Sequence, residues 1–169
     1  MIAAWMRLLY PDLVDAALSS SAPVLAKKDF YEYLETVRDT YEKYGSTDCV
    51  NKICIFFKRI VEFLKNSSGI DTLKKELNIC NESDMNVAHK KLWFSTWVYQ
   101  ESTEFGYFAT TTSDKQPFTH NLPLDFWVKQ CQAVFGEVFN EKRVDDGVTQ
   151  TNAMYGGITP NVTNVVFTH

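Results

Sequence analysis

Between Asp29 and Cys80 apolar residues recur three times at helical spacing and never at the alternation of a strand, which restricts what this stretch can become. Tyr31, Leu34, Val37 and Tyr41 share one face of "DFYEYLETVRDTYEKYG", with Asp29 as the expected N-cap and Gly45 as the stop. "DCVNKICIFFKRIVEFLKN" starts from an expected cap at Asp48 and repeats Ile53, Phe56, Phe57, Ile60, Phe63 and Leu64 with basic residues between them. "GIDTLKKELNIC" reads as a third, shorter helix. Three amphipathic helices in series make a cap-like helical insert.

The flanking segments are of another kind. Met1–Tyr10 is helical by its apolar content, and Pro11 ends it because the residue before a proline is pushed out of the helical region. "LVDAALSSSAP" then suits a buried strand closely approached on both faces, so the opening reads as half of an α/β unit. Past the insert, "ESTEFGYFATTTSDKQPFTH" has no clean period and reads as an ordered loop. "LPLDFWVKQCQAVFG" is a helix closed by Gly136, a weaker helix covers Val144–Ala153, and "YGGITP" is a turn. Val165, Val166 and Phe167 are expected in a buried strand.

Charge and hydropathy exclude several classes of function. Of 169 residues, 17 are basic and 21 acidic, for a net charge of -4, with no run of like charges to hold a nucleic acid. Arg7 and Pro11 interrupt the first apolar run, and no later one approaches the ~18 residues of a membrane span. The opening fails as a signal peptide, since it lacks a basic start and places Arg7 where the apolar region belongs. The acceptor patterns at Asn66, Asn81 and Asn161 and the four cysteines nevertheless point toward the secretory pathway.

Chemistry-bearing motifs are few. No G-x-S-x-G elbow is present, and Ser19, Ser20 and Ser21 precede a proline with no helix following, so they read as structural. His89, His120 and His169 are isolated from other ligand-type residues and no H-E-x-x-H occurs, so neither a metal nor a cofactor is expected. Cys49 and Cys54 stand about 140° apart around a helix and cannot pair with each other. Gly156-Gly157 lacks a phosphate-binding context and reads as a tight turn.

Four stretches together resemble the family of Pro-directed serine exopeptidases, which includes lysosomal Pro-Xaa carboxypeptidase, dipeptidyl peptidase II and the thymus-specific serine protease type, the last being nearest. They are "AAWMRLLYPDLVDAALSSSAPV", "WVYQESTEFGYF", "LDFWVKQCQAVFG" and "TNAMYGGITPNVTNVVF", in the family's order. The resemblance implies a partial α/β-hydrolase fold with a truncated helical cap. Residues 1–28 would be hydrolase core, 29–92 the partial cap, and 93–169 the return to the core. It places the nucleophilic serine four residues before Met1 and the aspartate and histidine after His169, so no catalytic residue is expected within the chain. Tyr99, Gln100, Glu104 and Phe105 resemble the segment beside the family's substrate cleft. The family's cap is longer between Asn81 and Trp93, and Ser102 replaces a family cysteine expected to pair with Cys131, leaving Cys131 a free thiol.

The implied function is a piece of a serine-type peptidase acting on Pro-containing peptides, inactive by itself. Whether the parent is a carboxypeptidase or a dipeptidyl peptidase stays open. A peptide substrate, a secreted or lysosomal location and a homodimer of the full-length parent come with the resemblance. The rival reading is a non-catalytic helical binding module or pseudoenzyme.

Overall fold

The computed structural model describes residues 1–77 and 96–168. Its elements are α1 (Ile2–Leu9), β1 (Ala17–Ser20), β2 (Lys27–Asp29), α2 (Glu32–Tyr44), α3 (Thr47–Phe63) and α4 (Ser67–Glu76). Then come helical residues 96–100 (α5), a π-helical turn (Glu101–Phe105), β3 (Gly106–Phe108), α6 (Leu124–Phe135), α7 (Glu141–Tyr155) and β4 (Val165–Thr168). Asn81, His89 and His169, named above, lie outside the described residues.

Two short parallel strand pairs organise the α/β part. β1 runs beside β4 with Ala17 opposite Val165 and Ser20 opposite Thr168, and β2 runs beside β3 with Lys27 opposite Gly106. Parallel neighbours require long crossovers, and here the helices supply them. Asn152 ties the layers together. Its Oδ1 accepts from the Ala26 N–H at 2.9 Å while its Nδ2 donates to the Ala26 carbonyl at 2.8 Å, holding α7 against the entry to β2. A small core of Phe108, Cys131 and Val144 lies under α6 and α7, packed by Leu124, Trp127, Phe139 and Val148.

Several boundaries depart from expectation for local reasons. Asp29 belongs to β2, where its carboxylate accepts from the Thr110 hydroxyl, so it caps nothing and α2 begins at Glu32. The cap of α3 is Ser46, whose hydroxyl accepts from the Cys49 N–H at 3.1 Å; Asp48 sits in the first turn and pairs with Lys52. Asn66 caps α4 through Gly69 N–H at 2.8 Å. The expected loop from Glu101 contains both the π turn and β3, and α7 starts three residues earlier than Val144, at Glu141 behind an Asn140 cap.

Neither β1 nor β4 is buried, contrary to the sequence reading. Only Ser19 of β1 is enclosed, Leu18 is 66% exposed, and Val166 and Phe167 of β4 are open as well. Among the described residues each strand has a single strand partner, and α1 packs against β1. The same openness shows in α2, which buries no side chain, and in α3, which buries only Val50. No described helix is long and apolar enough to cross a membrane.

Candidate functional site

Among the described residues the π turn is the one π-helical stretch, and distant segments converge on it. One extra residue in a helical turn arises where packing demands it, and such turns gather at working sites. The turn is followed by Gly106 at φ +70° and Tyr107 at φ +59°. At Gly106 an added Cβ would lie 2.5 Å from the Cα of Lys28, so only glycine lets β3 come this close to β2. Tyr107 tolerates its left-handed backbone because its hydroxyl donates to the Pro23 carbonyl at 2.9 Å. Burial pushes that phenol up to about 12.

Aromatic side chains join the turn to α1. Trp5 stacks on Tyr155 of α7 with ring centres 4.0 Å apart and tilts against Phe105 at 5.8 Å. Phe105 also meets Trp97 at 6.3 Å and Tyr107 at 5.9 Å. The Trp5 indole N–H is enclosed without an acceptor among the described residues. The N-terminal turn of α1 thus sits above an apolar, aromatic floor, where its backbone N–H groups, lacking helical partners, favour negative charge.

The four residues proposed from sequence do not share one wall. Phe105 is buried in the aromatic floor beside Trp5. Tyr99 turns the other way, edge-on to Phe135 at 5.3 Å and near Phe139 at 5.7 Å. Gln100 caps the π turn, and Glu104 is exposed while its carbonyl accepts from the Thr151 hydroxyl at 2.8 Å. Trp5, Trp97, Tyr107 and Tyr155 were missed. Their only sequence signal was aromatic content, which marks core as readily as cleft.

Glu101 carries the titration that matters here. Burial, opposed in part by a hydrogen bond from Trp97, pushes its carboxyl up to about 7. A carboxyl raised in the folded state holds its proton there more tightly than in the unfolded chain. Its favourable contribution is therefore present in acid and is lost as pH rises through about 7. Glu101→Gln should leave stability at pH 4 nearly unchanged and raise it at pH 8 by about 1–2 kcal/mol, a value reduced for partial solvent screening. Urea unfolding at the two pH values checks this; an equal gain at both would assign the effect to packing instead.

Ser102 and Cys131 form a buried contact behind the turn. Both are fully enclosed, and the Ser102 hydroxyl reaches the Val98 carbonyl at 2.6 Å as well as the Cys131 sulfur. Burial raises the Cys131 thiol, partly offset by the Ser102 hydrogen bond, so it is a poor nucleophile. Cys49, Cys54 and Cys131 are free, as expected for Cys131. Elsewhere, His120 lies in the loop after β3 with Nδ1 2.8 Å from the Thr111 carbonyl and Nε2 3.4 Å from Asp114. Among the described residues no cluster of three metal-ligating side chains occurs.

Comparison with known proteins gives the chain its family. The family described as Serine carboxypeptidase S28 matches in two segments, residues 1–96 and 86–169. The mouse and human thymus-specific serine proteases are each 24% identical over 98% of this chain, which spans 50% and 49% of their length. The human lysosomal Pro-X carboxypeptidase is 30% identical over 63% of this chain and 22% of its own length. The chain therefore spans about half the length of the first two relatives. Those two alignments run over 254 residues although this chain has 169, so the relatives carry about ninety residues with no counterpart here. No solved structure matches. Two family matches that between them span every residue identify the chain as a member of the S28 serine carboxypeptidase family.

Proposed function

We propose that this chain supplies the helix after the nucleophile elbow, part of the cap and the last core strands of a serine-type peptidase that cleaves Pro-containing peptides. One observation carries the reading: α1 and the turn at Glu101–Phe105, two family-like stretches about a hundred residues apart in sequence, meet at Trp5 and Phe105. In the full enzyme a serine just before α1 would attack the peptide carbonyl, with a histidine as base, an aspartate orienting it, and backbone N–H groups holding the oxyanion. Within this chain, the N-terminal turn of α1 would favour the developing negative charge. Trp5, Phe105 and Tyr107 would form the apolar floor that excludes water and receives a proline ring. Gln100 and Glu104 would lie at the edge of that cleft.

On this reading the reacting serine, histidine and aspartate lie outside the 169 residues, and the chain should take no stoichiometric label from a fluorophosphonate. The test compares it with an in-frame protein extended upstream through G-x-S-x-G and downstream through the aspartate and histidine, and with that protein's serine-to-alanine variant. Turnover of Pro-containing peptides is expected only for the extended form with serine. Equal rates for the two extended proteins, or heat-sensitive labelling of the short chain, would refute the reading. Carboxypeptidase and dipeptidyl peptidase specificity separate on the same peptide panel.

A secreted or lysosomal location accompanies this reading. Asn66 and Asn161 are both exposed, and Asn66 uses its Oδ1 as the α4 cap while its Nδ2 remains for a glycan. A homodimer of the full-length parent belongs to the same proposal. The second reading, a non-catalytic binding module, draws on one observation: the apolar surface left open on α3 and α4.

A further inference from the structure

The turn at Glu101–Phe105 holds a carboxyl where its charged form is poorly served. Glu101 is half-buried, and an ionised carboxylate has about four lone-pair sites to fill. Among the described residues one donor reaches it, the indole N–H of Trp97, one helical turn earlier in α5. The charged groups on the elements packed against the turn are engaged elsewhere. On α7, Glu141 and Asp145 hold Lys28, Lys142 holds Asp146, and Arg143 lies over the Phe139 ring. On α6, Asp125 pairs with Lys129, and on α1 Arg7 donates to the Pro11 and Thr163 carbonyls. The phenol of Tyr107 donates to Pro23, Tyr99 meets Phe135, Tyr155 stacks on Trp5, and Glu104 is exposed. What α6 presents to Glu101 is the Cys131 thiol, which the nearby carboxylate makes harder to ionise.

The same five residues form a joint. Ser102, next in the chain, bonds the Val98 carbonyl and touches the Cys131 sulfur, while Phe105 packs on Trp97 and Trp5. An ionised Glu101 needs water on oxygens that the protein leaves bare, and bringing water to them takes the turn from its seat. Ser102 then leaves Cys131, and Phe105 leaves Trp97.

We infer that the Glu101–Phe105 turn is a pH-sensitive joint, closed when Glu101 carries its proton and opening when that proton is lost. Burial holds the carboxyl at about 7 in the closed turn, against 4.5 where it is free. Opening therefore releases a proton between those values, and the open fraction rises with pH across that window and levels off on either side. If the chain serves a peptidase as proposed above, the floor of Phe105 and Tyr107 is complete in acid and loosened near neutrality. That consequence rests on the peptidase reading; the joint does not, and the two fail separately.

Hydrogen exchange of the 169-residue chain, read by mass spectrometry from about pH 4.5 to 8 and divided by unfolded-chain rates, measures the joint directly. Protection of the peptide spanning residues 98–108 should fall about tenfold or more over this range, less than the full window allows because Glu101 is partly solvated. Protection of α3 should hold. Glu101→Gln should keep the acid value throughout. Trp97→Phe, which removes the one donor that favours the charged form, should carry the fall to higher pH, and it decides alone if Glu101→Gln does not fold. Protection that ignores pH in the natural chain, or a fall of equal size in Glu101→Gln, overturns the inference. So does a fall shared equally by α3, which would belong to the whole chain and not to the turn, or a Trp97→Phe profile that matches the natural one.

Discussion

Ser102→Cys should cross-link to Cys131 spontaneously in air and stabilise the chain by about 3.5 kcal/mol, the loop-closure value for roughly thirty intervening residues. The two side chains already touch inside a fully enclosed site, the proximity that a bridge requires. The new bond would tie the π turn to α6, the junction on which the aromatic floor depends. In the natural chain Cys131 should react with an alkylating reagent only after denaturation and without any reductant. In the variant it should resist alkylation until reduced, and the urea midpoint should fall back to the natural value in dithiothreitol. A variant that stays reduced in air, or a disulfide with no gain in stability, would show that the contact lacks the geometry of a bridge.

Gly147→Val should cost about 3 kcal/mol or more, near the upper end of overpacking effects, and lower the unfolding midpoint by about 10 °C. Helix α7 lies against the π turn at this residue. An added Cβ would sit 1.9 Å from the Thr103 carbonyl oxygen and 2.6 Å from its carbon, and backbone cannot yield as a flexible side chain does. Moving α7 outward would also break the Thr151 bond to Glu104 and loosen both Asn152 bonds to Ala26. Met154→Ala on the same helix is the comparison, since Met154 is largely exposed and should change stability by less than about 0.5 kcal/mol. Similar losses from the two substitutions would mean that α7 does not rest on the turn as closely as these distances require.

What was legible in the sequence follows from the range of the forces involved. α2, α3, α4 and α6 could be read because helical period and closing glycines are local: Gly45 and Gly136 end their helices where expected. Asp29 and Asp48 misled because a cap is decided by backbone direction, and Thr110 and Ser46 settled the matter from elsewhere. The burial of β1 and β4 was misjudged because an apolar run records what a strand could bury, whereas exposure depends on how many partners surround it. The π turn has no sequence signature of its own. Of the four residues proposed for a cleft, Phe105 stacks near Trp5 of α1 while Tyr99 meets Phe135 of α6, a division set by the extra residue in that turn. Glu101's titration was invisible for the same reason, since its cause is burial rather than any neighbour along the chain.

The pairing of β1 with β4 bears on how the chain is made. Ala17 finds Val165 only after about 150 further residues have been added, and Arg7 waits equally long for the Thr163 carbonyl. At ribosomal rates of 5–20 residues per second, Leu18 and its neighbours remain unpaired for roughly 7–30 s, far beyond the microseconds in which the local α2–α4 helices form. The helical array can therefore consolidate during synthesis while the strand that opens the chain stays available to wrong partners. Holding that strand until its mate emerges is a task for a chaperone, and slowing translation late in the message should lower the yield of folded chain more than slowing it early.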